Sequence, residues 1–262
     1  MTEVSVSADR SGAIGRRRHR HWRGVLATTI AAAGVAAVPV VELQRARRHP
    51  KLVELDHVLD GDIGHDGATQ ALRLVWLGDS TAAGVGADSV EGALPWQVAA
   101  ALGRPISLRV LARSGARVRD VLADQLPRLA ALDERPDLIL VSVGANDVVH
   151  VTRRRVFRRQ YAAMLEALTG TRVVVLGIPD MASALVLDQP MRAIVGARAR
   201  RVDRWIRATA ASFPDVHHID ISTRPRSSRA ADYLSADRYH PNEAGYGLWA
   251  SVVAATLVGL IV

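Results

Sequence analysis

The sequence predicts a single α/β domain on a five-stranded parallel sheet, and three observations carry that prediction. From Leu72 onward, short apolar and β-branched runs recur at 72–77, 106–111, 138–143, 172–178 and 216–221, the length and composition of buried strands. Between them lie segments with apolar residues three and four apart, so strand and helix alternate as in successive βα units. At 262 residues the chain holds one sizeable domain plus a tail. No internal repeat relates the units, which excludes a solenoid. The expected strand order puts the first strand between the second and third, with the fourth and fifth beyond.

Taken from the N-terminus, residues 1–23 are a polar, basic tail ending in the run from Arg16 to Arg23. Residues 24–41 carry no charge. As a helix this stretch is about 27 Å long, just short of the roughly 30 Å hydrocarbon core of a bilayer. It is read as a membrane-spanning anchor, with a cleaved signal sequence as the alternative. Six arginines before it and four basic residues after it lean towards an inside N-terminus and an extracytoplasmic domain, or a secreted one after cleavage. Residues 42–70 read as a linker with a short helix near Leu52 to Leu59, and residues 71–262 as the folded domain.

Within that domain, Pro95 and Gly103 bracket one helix, as an opening proline and a terminating glycine do. A second helix runs through Val118, Val121, Leu122, Leu129 and Leu132, with Pro127 expected to kink or split it. A third puts Val156, Phe157, Tyr161, Met164, Leu165 and Leu168 on one face and Arg153, Arg154, Arg155, Arg158 and Arg159 mostly on the other. That arginine face reads as solvated, with lipid head groups the alternative contact. Met191, Ile194, Val195, Ala199, Val202, Trp205, Ile206 and Ala210 make the apolar face of a fourth helix. The uncharged stretch Gly247 to Val262 reads as the helix that closes the core, with membrane contact as the alternative.

Charge and composition narrow the function classes. Of the net charge of +8, residues 1–51 contribute +7, leaving +1 for the remainder. The domain as a whole therefore has no nucleic-acid footprint. The absence of cysteine excludes disulfides, thiol nucleophiles and Cys-ligated zinc, and no His/Asp/Glu group has metal-ligand spacing.

Four motifs fall where this layout puts strand ends. Gly78-Asp79-Ser80-Thr81 follows the first strand, Gly115 the second, Gly144-Ala145-Asn146-Asp147 the third, and Asp237-Arg238-Tyr239-His240 lies after the fifth. They gather at the carboxyl rim, where open α/β sheets bind ligands. A carboxylate three residues before a histidine can reach the Nδ1–H and fix the tautomer, leaving Nε2 for Ser80. The Ser80 N–H, the Gly115 N–H and the Asn146 amide supply donors for an oxyanion. Asp79 and Asp147 read as loop organisers. His217 and His218 read as structural and His150 as surface. Ser80 has no second glycine for a G-x-S-x-G elbow, and dinucleotide and P-loop fingerprints are absent.

In order and spacing these blocks resemble those of the SGNH (GDSL-type) hydrolases over residues 72 to about 258. Two departures stand out: threonine follows the serine where leucine is common, and the second block lacks the Asn that often precedes its Gly. The resemblance implies a three-layer flavodoxin-like α/β/α sandwich. It also implies a Ser80 nucleophile, a His240 base oriented by Asp237, oxyanion donors at Ser80, Gly115 and Asn146, and no cofactor. The expected activity is hydrolysis of a small-molecule or lipid carboxylic ester through an acyl-enzyme. O-acyl transfer, carbohydrate O-deacetylation and a non-catalytic binding module remain as alternatives. Met181 and Leu185, beyond the fourth strand, are expected to line an acyl pocket, with a seat for the next helix as the competing reading. The expected partners are the ester substrate and a membrane held through the N-terminal segment, with no nucleic acid.

Overall fold

The computed structural model describes residues 52, 55, 59–64, 70–222 and 229–261. The basic tail 1–23 and the uncharged stretch 24–41 lie outside the described residues. Six strands form one sheet: β1 (Gly61–Ile63), β2 (Leu72–Gly78), β3 (Ile106–Val110), β4 (Leu138–Ser142), β5 (Arg172–Leu176) and β6 (Val216–Ile219). Their order is β1-β3-β2-β4-β5-β6. The five longer strands are parallel, while β1 pairs antiparallel with β3, Gly61 opposite Leu108.

The sheet is therefore mixed and six-stranded, which corrects the expectation of five parallel strands. Gly-Asp-Ile is too short and polar to show strand periodicity. It is held from outside, by its pairing and by Asp60, whose carboxylate accepts the Val110 N–H at 2.7 Å. Leu59 is fully buried, and its carbonyl accepts the Trp96 indole N–H at 2.9 Å. Residues 59–63, read from sequence as linker, thus belong to the domain.

Seven helices flank the sheet among the described residues: α1 (Leu94–Ala101), α2 (Val118–Asp120), α3 (Leu126–Ala130), α4 (Ala145–Val149), α5 (Arg154–Ala167), α6 (Met191–Ala210) and α7 (Glu243–Ile261). Strand β2 is covered on both faces, which explains its nearly unbroken apolar run. Leu74 and Trp76 join α1 and α7 in one core, with Val98, Tyr246 and Val253. Val75 and Leu77 join α5 and α6 in the other, with Phe157, Met164 and Ile206. Between α2 and α3, Val121–Gln125 forms a π-helical turn. Pro127 at the head of α3 brings no N–H to continue an α-helical ladder through this point, so the expected helix is broken there.

Residues 79–93 form turns, and the helix opened by Pro95 starts at Leu94. One further expectation is revised. Among the described residues, the helix long and apolar enough to cross a membrane is α7, over Glu243–Leu260. This corrects the placing of the spanning helix, and of a membrane partner held by it, at the N-terminus. The apolarity of α7 has a local cause. Tyr246, Ala250, Val253, Ala254 and Leu257 are buried in the first core, and no acid or base follows Glu243 in the helix.

Candidate active site

Strand β2 delivers Ser80 to the rim of the sheet through a glycine with no alternative. Gly78 has φ +151°, and a Cβ there would lie 2.2 Å from the Ser142 carbonyl oxygen. Asp79 donates its N–H to that carbonyl at 3.0 Å, and its buried carboxylate accepts the Thr81 N–H at 3.1 Å. Burial pushes the Asp79 carboxyl up to about 6, against the lowering effect of the Thr81 N–H and the His240 charge. The Ser80 N–H donates to no acceptor among the described residues, as an oxyanion donor requires.

The Asp237–His240 segment is a tight turn, with Arg238 at φ +58°. Asp237 Oδ1 accepts the Ser235 hydroxyl at 2.8 Å and the N–H groups of Tyr239 and His240 at 2.9 and 3.0 Å. Its Oδ2 lies 2.6 Å from His240 Nδ1. Burial alone would raise this carboxyl, but the His240 bond and charge and the two backbone donors outweigh it and hold it at about 2. On the other side of the ring, His240 Nε2 lies 3.0 Å from Ser80 Oγ. Three side chains from the two ends of the domain are thus linked in one file.

Asn146 stands in the first turn of α4, directly after Gly144. Its side-chain amide donates to the Ala116 carbonyl at 3.1 Å, which fastens the Gly115 turn to it. Gly115 itself is exposed at φ +77°, with nothing near the position of a Cβ. Asp147 accepts from the Val118 N–H at 3.1 Å and the Thr152 hydroxyl at 2.7 Å, as a loop organiser does.

Ser80, Asn146, Met181, Leu234, His240 and Trp249 are among the residues that line a small cleft of about 60 Å³. Gly115 and Leu185 are not among its lining residues. For Leu185 the reason is local. The short 3-10 turn Met181–Ser183 ends at Ala184 in an extended conformation, so Met181 and Ala184 are buried against the cleft while Leu185 stays half-buried beyond it. His218 bonds Asp203 at 3.1 Å, His150 bonds its own helix at Asn146 O, and Asp220 pairs with Arg207 and the Ser222 N–H. None of these reaches the file. No group of His, Asp and Glu side chains among the described residues is arranged to hold a metal ion.

Several supporting residues carry no motif signal. Gln125, fully buried in the π turn, accepts the Gly78 N–H and donates to the Gly78 carbonyl, both at 2.8 Å. Glu243 accepts from the Ser89 hydroxyl at 2.7 Å, tying the turns after Ser80 to the start of α7. Gly86, at φ +103°, lets the same turns press on the histidine loop, since a Cβ there would lie 2.1 Å from the Pro241 carbonyl oxygen. Pro127, two residues beyond the end of the π turn, was the available sign for Gln125. For Glu243 and Gly86 the partners lie too far apart in sequence to be read.

The model of the GDSL-like Lipase/Acylhydrolase family matches residues 76–248, a stretch that begins in β2 and ends in α7. The chain belongs to this family. It is 28% identical over 197 residues to a GDSL-like esterase of Mycobacterium tuberculosis, covering 71% of this chain and 62% of that protein. The chain therefore spans less than two thirds of the length of that curated relative. Among solved structures, it resembles a member of the lipolytic protein G-D-S-L family from Veillonella parvula (TM-score 0.57, 20% identity, 72% of this chain and 99% of that one). It also resembles the lipase/acylhydrolase from Enterococcus faecalis (TM-score 0.57, 21% identity, 72% and 96%). At these identities the structures establish the fold, and a six-stranded variant of the SGNH α/β architecture is what this family member has.

Proposed function

We propose that this family member is a serine hydrolase of carboxylic esters, with Ser80 as nucleophile, His240 as general base and Asp237 as its orienting partner. The observation that carries the reading is the file Ser80 Oγ, His240 Nε2, His240 Nδ1, Asp237 Oδ2, with contacts of 3.0 and 2.6 Å. Its supports are the family membership, the relative named as an esterase, and a deeply ionised Asp237 that favours the Nδ1–H tautomer. His240 Nε2 takes the Ser80 proton as Oγ attacks the acyl carbon. The developing oxyanion is met by the Ser80 N–H, the Asn146 amide and the Gly115 N–H held beside it. The imidazolium then protonates the leaving alcohol, and water attacks the acyl-enzyme by the reverse sequence.

The apolar wall from Met181, Leu234 and Trp249 suits an acyl group, and the small volume of the cleft favours a short one. The test pairs a fluorophosphonate probe with soluble esters of increasing chain length. Labelling at Ser80 and rates that fall with chain length are expected. Ser80→Ala and His240→Ala each lose about 10⁶-fold in turnover, without adding in the double variant. A folded Ser80→Ala protein with unchanged esterase rates overturns the proposal.

A further inference from the structure

The layer formed by α5 and α6 is charged unlike the rest of the domain. The two helices carry ten arginines against Glu166 and Asp203, a net +8. Residues 52–262 together carry only +1, so everything outside these helices carries −7. Among the described residues, Arg207 alone of the ten is ion-paired, with Asp203 and Asp220. Arg154, Arg158, Arg201 and Arg204 are exposed and converge on a shallow depression of about 630 Å³ between the helices, beside Trp205. Such crowding has an internal cost: burial first, and then the neighbouring Arg201 charge, push Arg198 below its ordinary value.

Ile194, Arg198, Arg201 and Trp205 recur at three- and four-residue spacing along one flank of α6. From that flank, Arg198 donates to the carbonyls of Val148 and Thr152, both at 2.9 Å, and so fastens the turn that follows α4. The last residue of α4 and this turn present Val149 and Val151, 51% and 64% exposed, on the side where Ile194 is 56% exposed; these are the three most exposed large aliphatic residues described. Val151 is also held at φ +53°, a costly conformation for a β-branched residue. The same short helix carries Asn146 of the cleft, so the aliphatic tips border the active-site rim.

We infer that the α5–α6 face, with Val149, Val151 and Ile194 at its edge, is a docking surface for an anionic lipid bilayer. Guanidinium forks meet phosphate oxygens, and the aliphatic tips enter the boundary below the head groups. Charge complementarity identifies an anionic partner. The character of the tips favours lipid, because single-stranded nucleic acid is gripped by aromatic stacking platforms and these exposed tips are aliphatic. The surface is argued from charge and exposure, independently of the ester chemistry.

The absence of cysteine allows a unique reporter. In the full chain, Val151→Cys carrying a polarity-sensitive fluorophore is titrated with mixed phosphatidylcholine–phosphatidylglycerol vesicles and with pure phosphatidylcholine vesicles. Asp62→Cys, on the β1 edge, is the control. A blue shift at position 151 is expected with the anionic vesicles only, lost at high salt, with no shift at position 62. Combining Arg154→Gln, Arg158→Gln, Arg201→Gln and Arg204→Gln lowers that response on the order of 10³-fold in partition. Val151→Asp, assayed by sedimentation with the vesicles, weakens binding with the arginines intact. Turnover of a soluble acetyl ester, followed in parallel, is unchanged in all of these variants. An unshifted label at position 151, or equal partition of the four-arginine variant, overturns the docking surface. Arginine-dependent binding of single-stranded DNA without a vesicle response replaces lipid by nucleic acid. A chain that docks but turns over no ester keeps this inference and removes the one on esters.

Discussion

His240 works between an acceptor and a donor, and these neighbours set which nitrogen carries the proton. Asp237 Oδ2 at 2.6 Å takes the Nδ1–H, leaving the Nε2 lone pair for the Ser80 hydroxyl. Asp237→Asn keeps the shape but offers an amide that donates as readily as it accepts. Turnover on a soluble ester should fall by up to about 10⁴, while the folded spectrum stays intact. An undiminished rate would remove Asp237 from the file. The other buried carboxyl, Asp79, works against stability at neutral pH. Its value is about 6 in the folded chain, against 3.8 ordinarily. Between those values the unfolded chain loses the proton while the folded chain keeps it, so stability falls as pH rises from about 4 to about 6. The loss is about 3 kcal/mol, at 1.36 kcal/mol for each of the roughly two pH units between those values. Urea unfolding at the two ends of that window should show the decline in the wild type and a flatter profile in Asp79→Asn, whose side-chain oxygen still accepts the Thr81 N–H. Asp237 has the opposite sign, since its depressed value contributes stability that is complete above about pH 4 and is lost as pH falls through about 2.

At the level of elements, the end of β2 is held by a device that lies 47 residues further along the chain. Gln125 closes a reciprocal pair of hydrogen bonds on the Gly78 backbone, two residues before the nucleophile. The π turn places it there: the extra residue that distinguishes it from an α-turn rotates Gln125 into the second core, where it is fully buried. Gln125→Leu leaves the buried Gly78 N–H without a partner, while the Gly78 carbonyl still accepts the Arg113 N–H at 3.2 Å. It should cost about 1–3 kcal/mol by denaturant midpoint, the cost of one orphaned group. It should also lower turnover more than it raises KM, because Ser80 loses its fixed approach. Stability and turnover both equal to wild type would reduce the pair to an incidental contact.

For the whole molecule, the question is what α7 is for. By length and composition it passes as a membrane span, yet Tyr246, Val253 and Leu257 are fully buried in the core shared with α1 and β2. The Tyr246 hydroxyl donates to the Val85 carbonyl at 2.6 Å, and the preceding Pro241 presses on Gly86. The helix therefore closes the sheet and seats the histidine loop. Leu257→Ala should destabilise the domain by about 2–5 kcal/mol, read as a lower urea midpoint with an unchanged slope. A midpoint indistinguishable from wild type would instead favour a helix that leaves the core.

By itself, the sequence determined the alternation of strands and helices, the parallel order of the five longer strands and the four motif blocks. Each of these is encoded locally, in apolar runs buried on both faces, in glycines that alone tolerate their turns, and in an Asp-x-x-His spacing that closes on itself. The tertiary structure alone decided the rest. Strand β1 exists because β3 offers an unpaired edge, and Gly-Asp-Ile has no pattern of its own. Ala184 rather than Leu185 meets the cleft because a 3-10 turn ends one residue earlier than an apolar run suggests. Gln125 reaches Gly78, and Ser80 meets a histidine 160 residues away, only once the sheet has been assembled. The arginines of α5 and α6 read separately as two solvated helix faces. They become one basic surface because the two helices pack side by side on the same face of the sheet, a contact between residues distant in sequence.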